Sequence, residues 1–425
     1  MIAAPPNSKQ NAPSLLAESM SQCPIDHATL SQRRMPYRAD QSLPPVEQDA
    51  DGVWHIHDYT IAKKIMRGQH TRQAGFGAEL IGELPDAFMK NEPVLFQDGD
   101  VHKQQRREIA RFFTPKAINS KYRRLMERFA YKMLADLYEN GRMELSDLTM
   151  TMAVQVAANV VGLTNSVFSG MDARIDHFVQ DEGFDEFKGN LWRNPQALLL
   201  HLRSQIAFGK FFYLDVKPAI RARKRNPQDD VISHLIAQGY SDSEILIECV
   251  TYGTAGMVTT REFIVFATWH FMQNSALRER YLEAEEAERF QILEEILRVE
   301  PVVSHLYRRA TQPIQVTDEI TIPENALIDL HIFEINSDES VVGAEPDAVC
   351  PMRELPRGAQ PPMMSFGDGH HRCPGAFLAI QETDIFLHKL LAIPNLKLVS
   401  KPAVGYKDII KGYEARNFII AVDEA

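Results

Sequence analysis

The chain has 425 residues, of which 44% are hydrophobic and 24% carry a charge, and its formal net charge is −11. This composition is typical of a globular protein with enough apolar material to enclose a cofactor. The acidic balance argues against non-specific binding to nucleic acid, which needs a basic surface.

The first 45 residues are rich in Pro, Ser and Gln, which predicts an irregular arm ahead of one domain over 46–425. Near the N-terminus there is neither a signal-peptide pattern nor an apolar run of the roughly 18 residues that a membrane span needs. The cysteines are scattered without the paired spacing of a disulfide framework or a Cys-x-x-Cys metal site: Cys23, Cys249, Cys350 and Cys373. We therefore expect a soluble, cytoplasmic protein without membrane attachment.

Beyond the arm, residues 53–57 alternate as a strand, and Asp58 is expected to cap a short helix from Tyr59 to Met66. The loop-rich stretch 68–97 carries apolar side chains, Phe88 among them, which either wall a pocket or pack on the core. Helical periodicity dominates 116–164 and 171–236. Residues 178–192 either form a lid over a pocket or supply core aromatics.

A basic segment follows the loop-rich stretch. Between Val101 and Arg124 there are eight Lys or Arg and one acid, Glu108. In an acidic protein this is a local basic patch, which is either a solvated helix face or a landing surface for an acidic electron-transfer partner. Within it, His102 and Arg106 are four residues apart and would share one helix face.

A long apolar helix pattern without proline runs from Asp242 to about Asn274. It contains a glycine followed by hydroxyl residues, in the run Ala255-Gly256-Met257-Val258-Thr259-Thr260. There a side chain or water can enter the backbone ladder and open a groove. Strands are predicted over 314–322, 326–333 and within 396–422.

Cys373 follows a run with glycines at 367 and 369 and precedes Pro374 and Gly375. Pro374 suits the first position of a helix, which would place Cys373 at its N-cap. There the helix dipole and unpaired N–H groups favour the thiolate, which can ligate iron. The alternative is a buried cysteine in an ordinary loop, but the fixed spacing Phe-x-x-Gly-x-x-x-Cys-x-Gly favours the ligand.

Four segments, in the same order along the chain, resemble the cytochrome P450 family, in particular its soluble bacterial members. The matching positions are His102 and Arg106; Ala255, Gly256 and Thr259; Glu295 and Arg298, joined by Arg308 and Arg353; and Phe366, Gly369, His371, Cys373 and Gly375.

The resemblance implies a mainly α fold, a triangular helical haem domain with small β-sheets, and haem b (iron protoporphyrin IX) as cofactor. It implies Cys373 as the iron ligand and Thr259 as the residue that delivers protons, with Ala255 and Gly256 shaping the oxygen groove. The haem propionates would be held by His102, Arg106, Arg308 and His371. A buried structural triad would consist of Glu295, Arg298 and Arg353.

The chain departs from the family pattern at Val258, where an acid is expected. Glu262, one turn after Thr259, is a hypothetical substitute for it, motivated by spacing. The alternative is that protons arrive through water and Thr259 alone. Positions in matching loops or one helical turn apart predict a substrate pocket lined by Phe88, Thr251, Thr254, Val258 and Val303.

Together with these features, the resemblance implies a monooxygenase that uses dioxygen to hydroxylate an apolar organic substrate. Thiolate ligation favours O–O cleavage. Because the chain has no flavin or iron–sulfur signature, electrons are expected from a ferredoxin- or flavodoxin-type protein with its NAD(P)H-dependent reductase. Two alternatives stay open: a haem-thiolate peroxygenase, dehydratase or coupling enzyme, motivated by Val258, and a non-catalytic haem sensor or carrier.

Overall fold

The structure is a computed structural model, which describes residues 43–76, 90–180, 205–407 and 410–422. Helices dominate these ranges and strands form small sheets, as predicted. The helices are α1 Tyr59–Arg67, α2 Gly99–Phe113, α3 Pro115–Ala117, α4 Arg123–Asn140, α5 Leu145–Val161, α6 Met171–Gln180, α7 Lys217–Arg225, α8 Val231–Ala237, α9 Asp242–Tyr252, α10 Thr259–Gln273, α11 Ser275–Glu283, α12 Glu286–Val299, α13 Ile332–Asn336, α14 Glu339–Val342 and α15 Ala376–Leu391.

Wider π-helical turns cover Ile118–Tyr122, Phe212–Val216 and Gly253–Val258, and a 3₁₀ turn covers Gly369–His371. The strands are β1 Val46–Gln48, β2 Trp54–Ile56, β3 Thr71–Ala74, β4 Arg142–Glu144, β5 His305–Ala310, β6 Ile314–Gln315, β7 Thr321–Ile322, β8 Leu327–His331, β9 Leu396–Leu398, β10 Ala403–Lys407, β11 Gly412–Arg416 and β12 Ile419–Val422.

Helix starts follow local capping chemistry. The Asp58 carboxylate accepts a hydrogen bond of 2.7 Å from the N–H of Ile61, which confirms the predicted cap of α1. At the start of α9, Ser241 and Glu244 form a reciprocal capping box. The predicted start of the long helix at Asp242 is therefore confirmed.

The largest apolar core surrounds α10. Every residue from Thr260 to Phe271 is buried, so this helix is enclosed on all sides, as its continuous apolar pattern indicates. Buried side chains of α4, α5, α12 and α15 belong to the same core. A second buried cluster joins α1 to the five-stranded sheet.

The five-stranded sheet has the order β1-β2-β8-β5-β3. Strands β2 and β8 run parallel, whereas the other neighbours are antiparallel. Ile56, Ile328 and Leu330 are fully buried on one face of the sheet. Because side chains alternate along a strand, the residues between them project from the opposite face.

Some predictions fall outside the described residues, namely Phe88, nearly all of the 1–45 arm and, beyond its first three positions, the 178–192 stretch. The division into an arm over 1–45 and one domain over 46–425 stays a prediction. Among the residues that the structure describes, none of the helices combines the length and apolarity needed to cross a bilayer.

Candidate active site

The loop from Phe366 to Gly375 is held in a tight, defined conformation. The Cys373 N–H donates to the Phe366 carbonyl at 2.8 Å. Gly367 and Gly369 have φ values of +66° and +65°, in the region that favours glycine. A Cβ at Gly369 would also collide with the backbone of Met66. These two positions therefore require glycine, whereas Gly375 has an ordinary φ of −85°.

The predicted helix start at Pro374 is wrong, and so is the placement of Cys373 at the N-cap. Helix α15 begins at Ala376 with Gly375 as its N-cap. The N–H of Cys373 is committed to the Phe366 carbonyl, which keeps the cysteine in the loop. The helix end still reaches the sulfur, because the Gly375 N–H donates to it.

The thiol environment also differs from the expectation of an intrinsically favoured thiolate. Burial raises the pKa of the Cys373 thiol, and this effect outweighs the lowering by the Gly375 N–H and by the charges of Arg106 and Arg372. A coordinated metal deprotonates a thiol outright. The loop therefore supplies donors for a sulfur anion that forms on metal binding.

Beside the loop lies a cleft lined by His102, Arg308 and His371, three of the four predicted propionate contacts. The rings of His102 and His371 stack with centroids 4.1 Å apart and planes 13° apart. His371 Nε2 lies 3.0 Å from an oxygen of Asp98. The fourth residue, Arg106, instead donates to the Arg372 carbonyl on the cysteine side.

The cleft combines one buried cation with two imidazoles whose pKa values are lowered. Burial lowers the pKa of Arg308 to about 10, although the Asp98 carboxylate opposes this. Burial and the neighbouring positive groups lower the pKa of His102 to about 4, and burial also lowers that of His371. A buried cation is costly unless an anion pairs with it, so a carboxylate-bearing ligand fits this cleft.

The predicted interruption of the long helix is present as the π-helical turn Gly253–Val258. The hydroxyls of Thr259 and Thr260 donate to the carbonyls of Ala255 and Gly256 at 2.7 and 2.6 Å, entering the backbone ladder. Ala255 and Gly256 are exposed in mid-helix, and a Cβ at Gly256 would meet no atom within 4 Å. Small side chains therefore leave room for a flat ligand here.

Arg106 links the two halves of the site. Its charge acts on both the Cys373 thiol and the Tyr252 hydroxyl, the residue just before the π-helical turn. The cysteine loop and the residue that precedes the π-helical turn thus both lie within reach of the charge of one arginine. With the exposed glycine and the cationic cleft, these residues fit a large flat metal macrocycle bearing carboxylates.

Val258 and Glu262 do not lie where their predicted roles require. Val258 is fully buried in the apolar core, so it is not a pocket residue in this structure. Glu262 is also fully buried; its oxygens accept from Arg261, twice from Arg416 and from the Ala415 N–H at 2.7 to 3.1 Å. This corrects the expected proton-relay role, because every acceptor site of the carboxylate is occupied in tying α10 to β11.

Three of the remaining pocket predictions lie among the described residues. Thr251, Thr254 and Val303 are half-buried, and Thr251 donates to the Ile247 carbonyl at 2.9 Å. They stay predictions, together with Phe88.

The predicted triad is assembled and buried. Glu295 contacts Arg298 at 2.8 Å and Arg353 at 3.1 Å. Arg298 also donates to the carbonyl of Asn336 at 2.9 Å. This arrangement fixes α12 against the segment that leads to the cysteine loop.

Asn336 carries this bracing to the cysteine loop, and its role was not found from the sequence. Its side chain accepts from the Met364 N–H at 2.9 Å and donates to the Ser365 hydroxyl at 2.8 Å, directly before Phe366. No spacing pattern marks it, because its partners are 28 and 29 residues away. Asp98, the partner of His371, was also missed, although its position just before α2 indicates a helix cap.

Comparisons with known proteins give a consistent result. The family model described as Cytochrome P450 matches residues 290–408. The biotin biosynthesis cytochrome P450 of Bacillus subtilis is 26% identical over 368 residues, covering 83% of this chain and 88% of that protein. The erythromycin C-12 hydroxylase of Saccharopolyspora erythraea is 26% identical over 360 residues, covering 82% of this chain and 83% of that protein. Cyclomarin C epoxidase CymV of Salinispora arenicola is 26% identical over 345 residues, with coverages of 79% and 82%.

Solved structures agree on the fold. The crystal structure of P450BioI in complex with a hexadec-9Z-enoic acid ligated acyl carrier protein has a TM-score of 0.73 at 22% identity, covering 89% of this chain and 94% of that chain. A mutant of P450 EryK in complex with erythromycin B has a TM-score of 0.71 at 21% identity, with coverages of 90% and 93%. The predicted fold class, mainly helical with small sheets, is confirmed.

Proposed function

The chain belongs to the cytochrome P450 family, and from this premise we propose that it hydroxylates an apolar organic substrate with dioxygen. Monooxygenase chemistry is common to the named hydroxylase and epoxidase relatives. The observation that carries the proposal is the Cys373 thiol, which receives the Gly375 N–H and lies near Arg106 and Arg372 in a braced glycine loop. Such a sulfur can bind a metal ion in its thiolate form.

The family implies a haem-thiolate cofactor, and we take it to be haem b. Cys373 would hold the iron, and His102, Arg308 and His371 would hold the carboxylates, because they line the cationic cleft. When bound, a thiolate-ligated haem supplies the reductive activation of dioxygen. Arg106 lies nearer the sulfur, where its charge favours the thiolate form.

Thr259 is the residue that would hold a proton at the groove. Its hydroxyl donates to the Ala255 carbonyl at 2.7 Å, and the oxygen can still accept a hydrogen bond from a water. Val258 cannot carry a proton, and the Glu262 carboxylate is fully engaged by arginines. Proton delivery through water and Thr259 is therefore the route that fits the described residues.

Electrons would come from a separate ferredoxin- or flavodoxin-type protein with its NAD(P)H-dependent reductase. The basic patch is suited to receive it, since Arg107, Arg111, Lys116 and Arg124 are exposed. Arg106, on the same helix as Arg107, touches the cysteine loop. An acidic partner steered to this patch would thus dock close to Cys373.

The substrate is expected to be apolar, in a pocket bordered by Thr251, Thr254, Val303 and Phe88. Thr251 lies just before the π-helical turn and Thr254 lies within it, beside the exposed Ala255 and Gly256 that would form the groove. Pockets of this kind are mostly apolar with few polar groups. A panel of apolar ligands that shift the iron spin state would identify the compound class.

The test is the spectrum of the reduced, carbon monoxide-treated protein, followed by turnover with dioxygen and a reductase pair. We expect the strongly red-shifted Soret band of thiolate ligation, its loss in Cys373→Ser and its retention in the control Cys350→Ala. Cys350 is buried and serves as a matched thiol removal. An unchanged spectrum in Cys373→Ser would overturn the assignment, and turnover with hydrogen peroxide but none with dioxygen and a reductase pair would refute the dioxygen-dependent reaction.

A further inference from the structure

A cluster of histidines and one carboxylate lies on the five-stranded sheet, and none of its members lines the cleft of His102, Arg308 and His371. In the sheet register, His55 of β2 pairs with Asp329 of β8, and His305 of β5 pairs with His331 of β8. Their neighbours Ile56, Ile328 and Leu330 face the core. Because side chains alternate along a strand, the cluster members lie together on the face of the sheet opposite the core. They come from three separate parts of the chain.

Three donor atoms converge within this cluster. His55 Nδ1 lies 2.8 Å from His331 Nε2 and 3.5 Å from Asp329 Oδ2, and His331 Nε2 lies 3.4 Å from the same oxygen. Four-coordinate zinc, with ligands at about 2.0 to 2.1 Å, separates adjacent ligand atoms by about 3.3 Å. Two of the three separations already match this geometry within about 0.2 Å, and the third would open by roughly 0.5 Å.

We propose that His55 Nδ1, His331 Nε2 and Asp329 Oδ2 bind one divalent first-row transition metal ion, Zn²⁺ first among them. Two imidazoles and one carboxylate are a donor set that suits such ions better than magnesium or calcium, which prefer oxygen ligands. The remaining coordination position would be taken by water. The site would clamp β2 to β8 at the solvent-facing side of the sheet.

The outer contacts hold the donors in a metal-binding orientation. His55 Nε2 lies 3.2 Å from Asp49 Oδ2, and this partner fixes the tautomer that leaves Nδ1 as a lone-pair donor. Asp49 is itself fixed, because its other oxygen accepts from the N–H groups of Asp51 and Val53 at 3.0 and 2.8 Å. On the other side, His305 Nδ1 lies 3.0 and 3.1 Å from the two oxygens of Asp329, which holds the carboxylate in place between this ring and the two imidazoles.

Solvent access is also compatible with metal entry. The side chains of His55 and His331 are 20% and 19% exposed, so the donors are reachable from water yet partly shielded.

The competing explanation is a purely hydrogen-bonded cluster. In one pair of tautomers, His55 and His331 satisfy each other at 2.8 Å, while Asp329 accepts from His305. This arrangement needs no metal and gives no reason for added zinc to prefer these residues. The two explanations therefore differ in what zinc does to the intact protein.

The test is calorimetric titration of the chelator-treated full-length holoprotein with zinc sulfate alone. We expect one site per chain in the wild type and an affinity at least ~10-fold lower in His55→Gln and in Asp329→Asn. The matched control is His57→Gln: this ring lies against His331, but its Nδ1 is 2.8 Å from the Pro44 carbonyl. Equal zinc binding in the wild type and His55→Gln would overturn the site.

A second measurement decides the matter should the variants fold poorly. Crystals of the wild-type holoprotein soaked in zinc are measured above and below the zinc absorption edge. An anomalous peak within coordination distance of His55 Nδ1 and His331 Nε2 supports the site. Zinc found only at other surface histidines, or not at all, overturns it. Neither readout depends on catalytic activity, so the result is independent of the proposed monooxygenase function.

Discussion

Replacing Glu262 by Gln should lower stability and leave proton delivery unchanged. The carboxylate is fully buried and pairs with Arg261 at 2.7 Å and with Arg416 at 2.8 Å. Removing one partner of a buried ion pair typically costs 3–5 kcal/mol, and the partial exposure of Arg416 places this case near the lower end, about 3 kcal/mol. For a chain of 425 residues this corresponds to a melting temperature lower by roughly 3 °C.

Two measurements separate these effects. Urea denaturation of the holoprotein reports stability, and the ratio of product formed to reductant consumed reports proton delivery. The matched control is Glu414→Gln, which removes another Arg416 contact of 2.8 Å from a more exposed carboxylate. This control should cost less than about 1 kcal/mol. An unchanged urea midpoint together with a lower product ratio in Glu262→Gln would refute the structural role and restore the relay hypothesis.

Three further predictions concern the loop, the triad and a buried acid. Gly369→Ala should destabilise the holoprotein by at least about 1–3 kcal/mol, because of its positive φ and the Met66 backbone, whereas Gly375→Ala should keep the wild-type urea midpoint; equal midpoints would contradict the loop argument. Glu295→Gln should lower the free energy of unfolding by about 3–5 kcal/mol and reduce haem content, because Arg298 and Arg353 lose their shared partner. Normal haem content at normal stability would count against the bracing role. Burial raises the pKa of Glu382 to about 8 in the folded protein, from an unfolded value near 4.5, so the wild type loses stability as the pH rises between these two values. The Glu382→Gln variant does not titrate there, so its stability relative to the wild type should increase by up to about 4 kcal/mol between pH 5 and pH 8. Urea midpoints of the two proteins that stay parallel across that range would contradict this.

Local patterns in the sequence were sufficient for much of the framework. Asp58 and Ser241 mark helix starts because capping involves residues three apart in the chain. The interruption at Gly253–Val258 was predicted from a glycine followed by hydroxyls, since those hydroxyls bond carbonyls four residues back. Such interactions are visible in a single stretch of sequence.

Interactions between distant segments were less predictable. Glu262 follows Thr259 by three residues, but its environment is set by Arg416, 154 positions away. Cys373 was misplaced by two positions relative to the helix start because its own N–H is bound to Phe366. The His55, Asp329 and His331 cluster depends on a parallel strand pairing across more than 270 residues, which no spacing rule reveals.

The cysteine loop shows how geometry and charge are supplied separately. Its geometry is fixed by the polypeptide: Gly369 fits against Met66, and Asn336 ties the buried triad to Ser365. The negative charge on the sulfur is not supplied by the polypeptide, because burial raises the pKa of the Cys373 thiol despite the nearby arginines. A preorganised loop spends little binding free energy on ordering, and metal ligation then removes the thiol proton. The apoprotein should therefore keep the loop conformation with a protonated Cys373. The rate at which this thiol is alkylated checks the prediction: alkylation should be slow at neutral pH and should accelerate only well above the ordinary thiol pKa. Rapid alkylation at neutral pH would contradict the raised pKa.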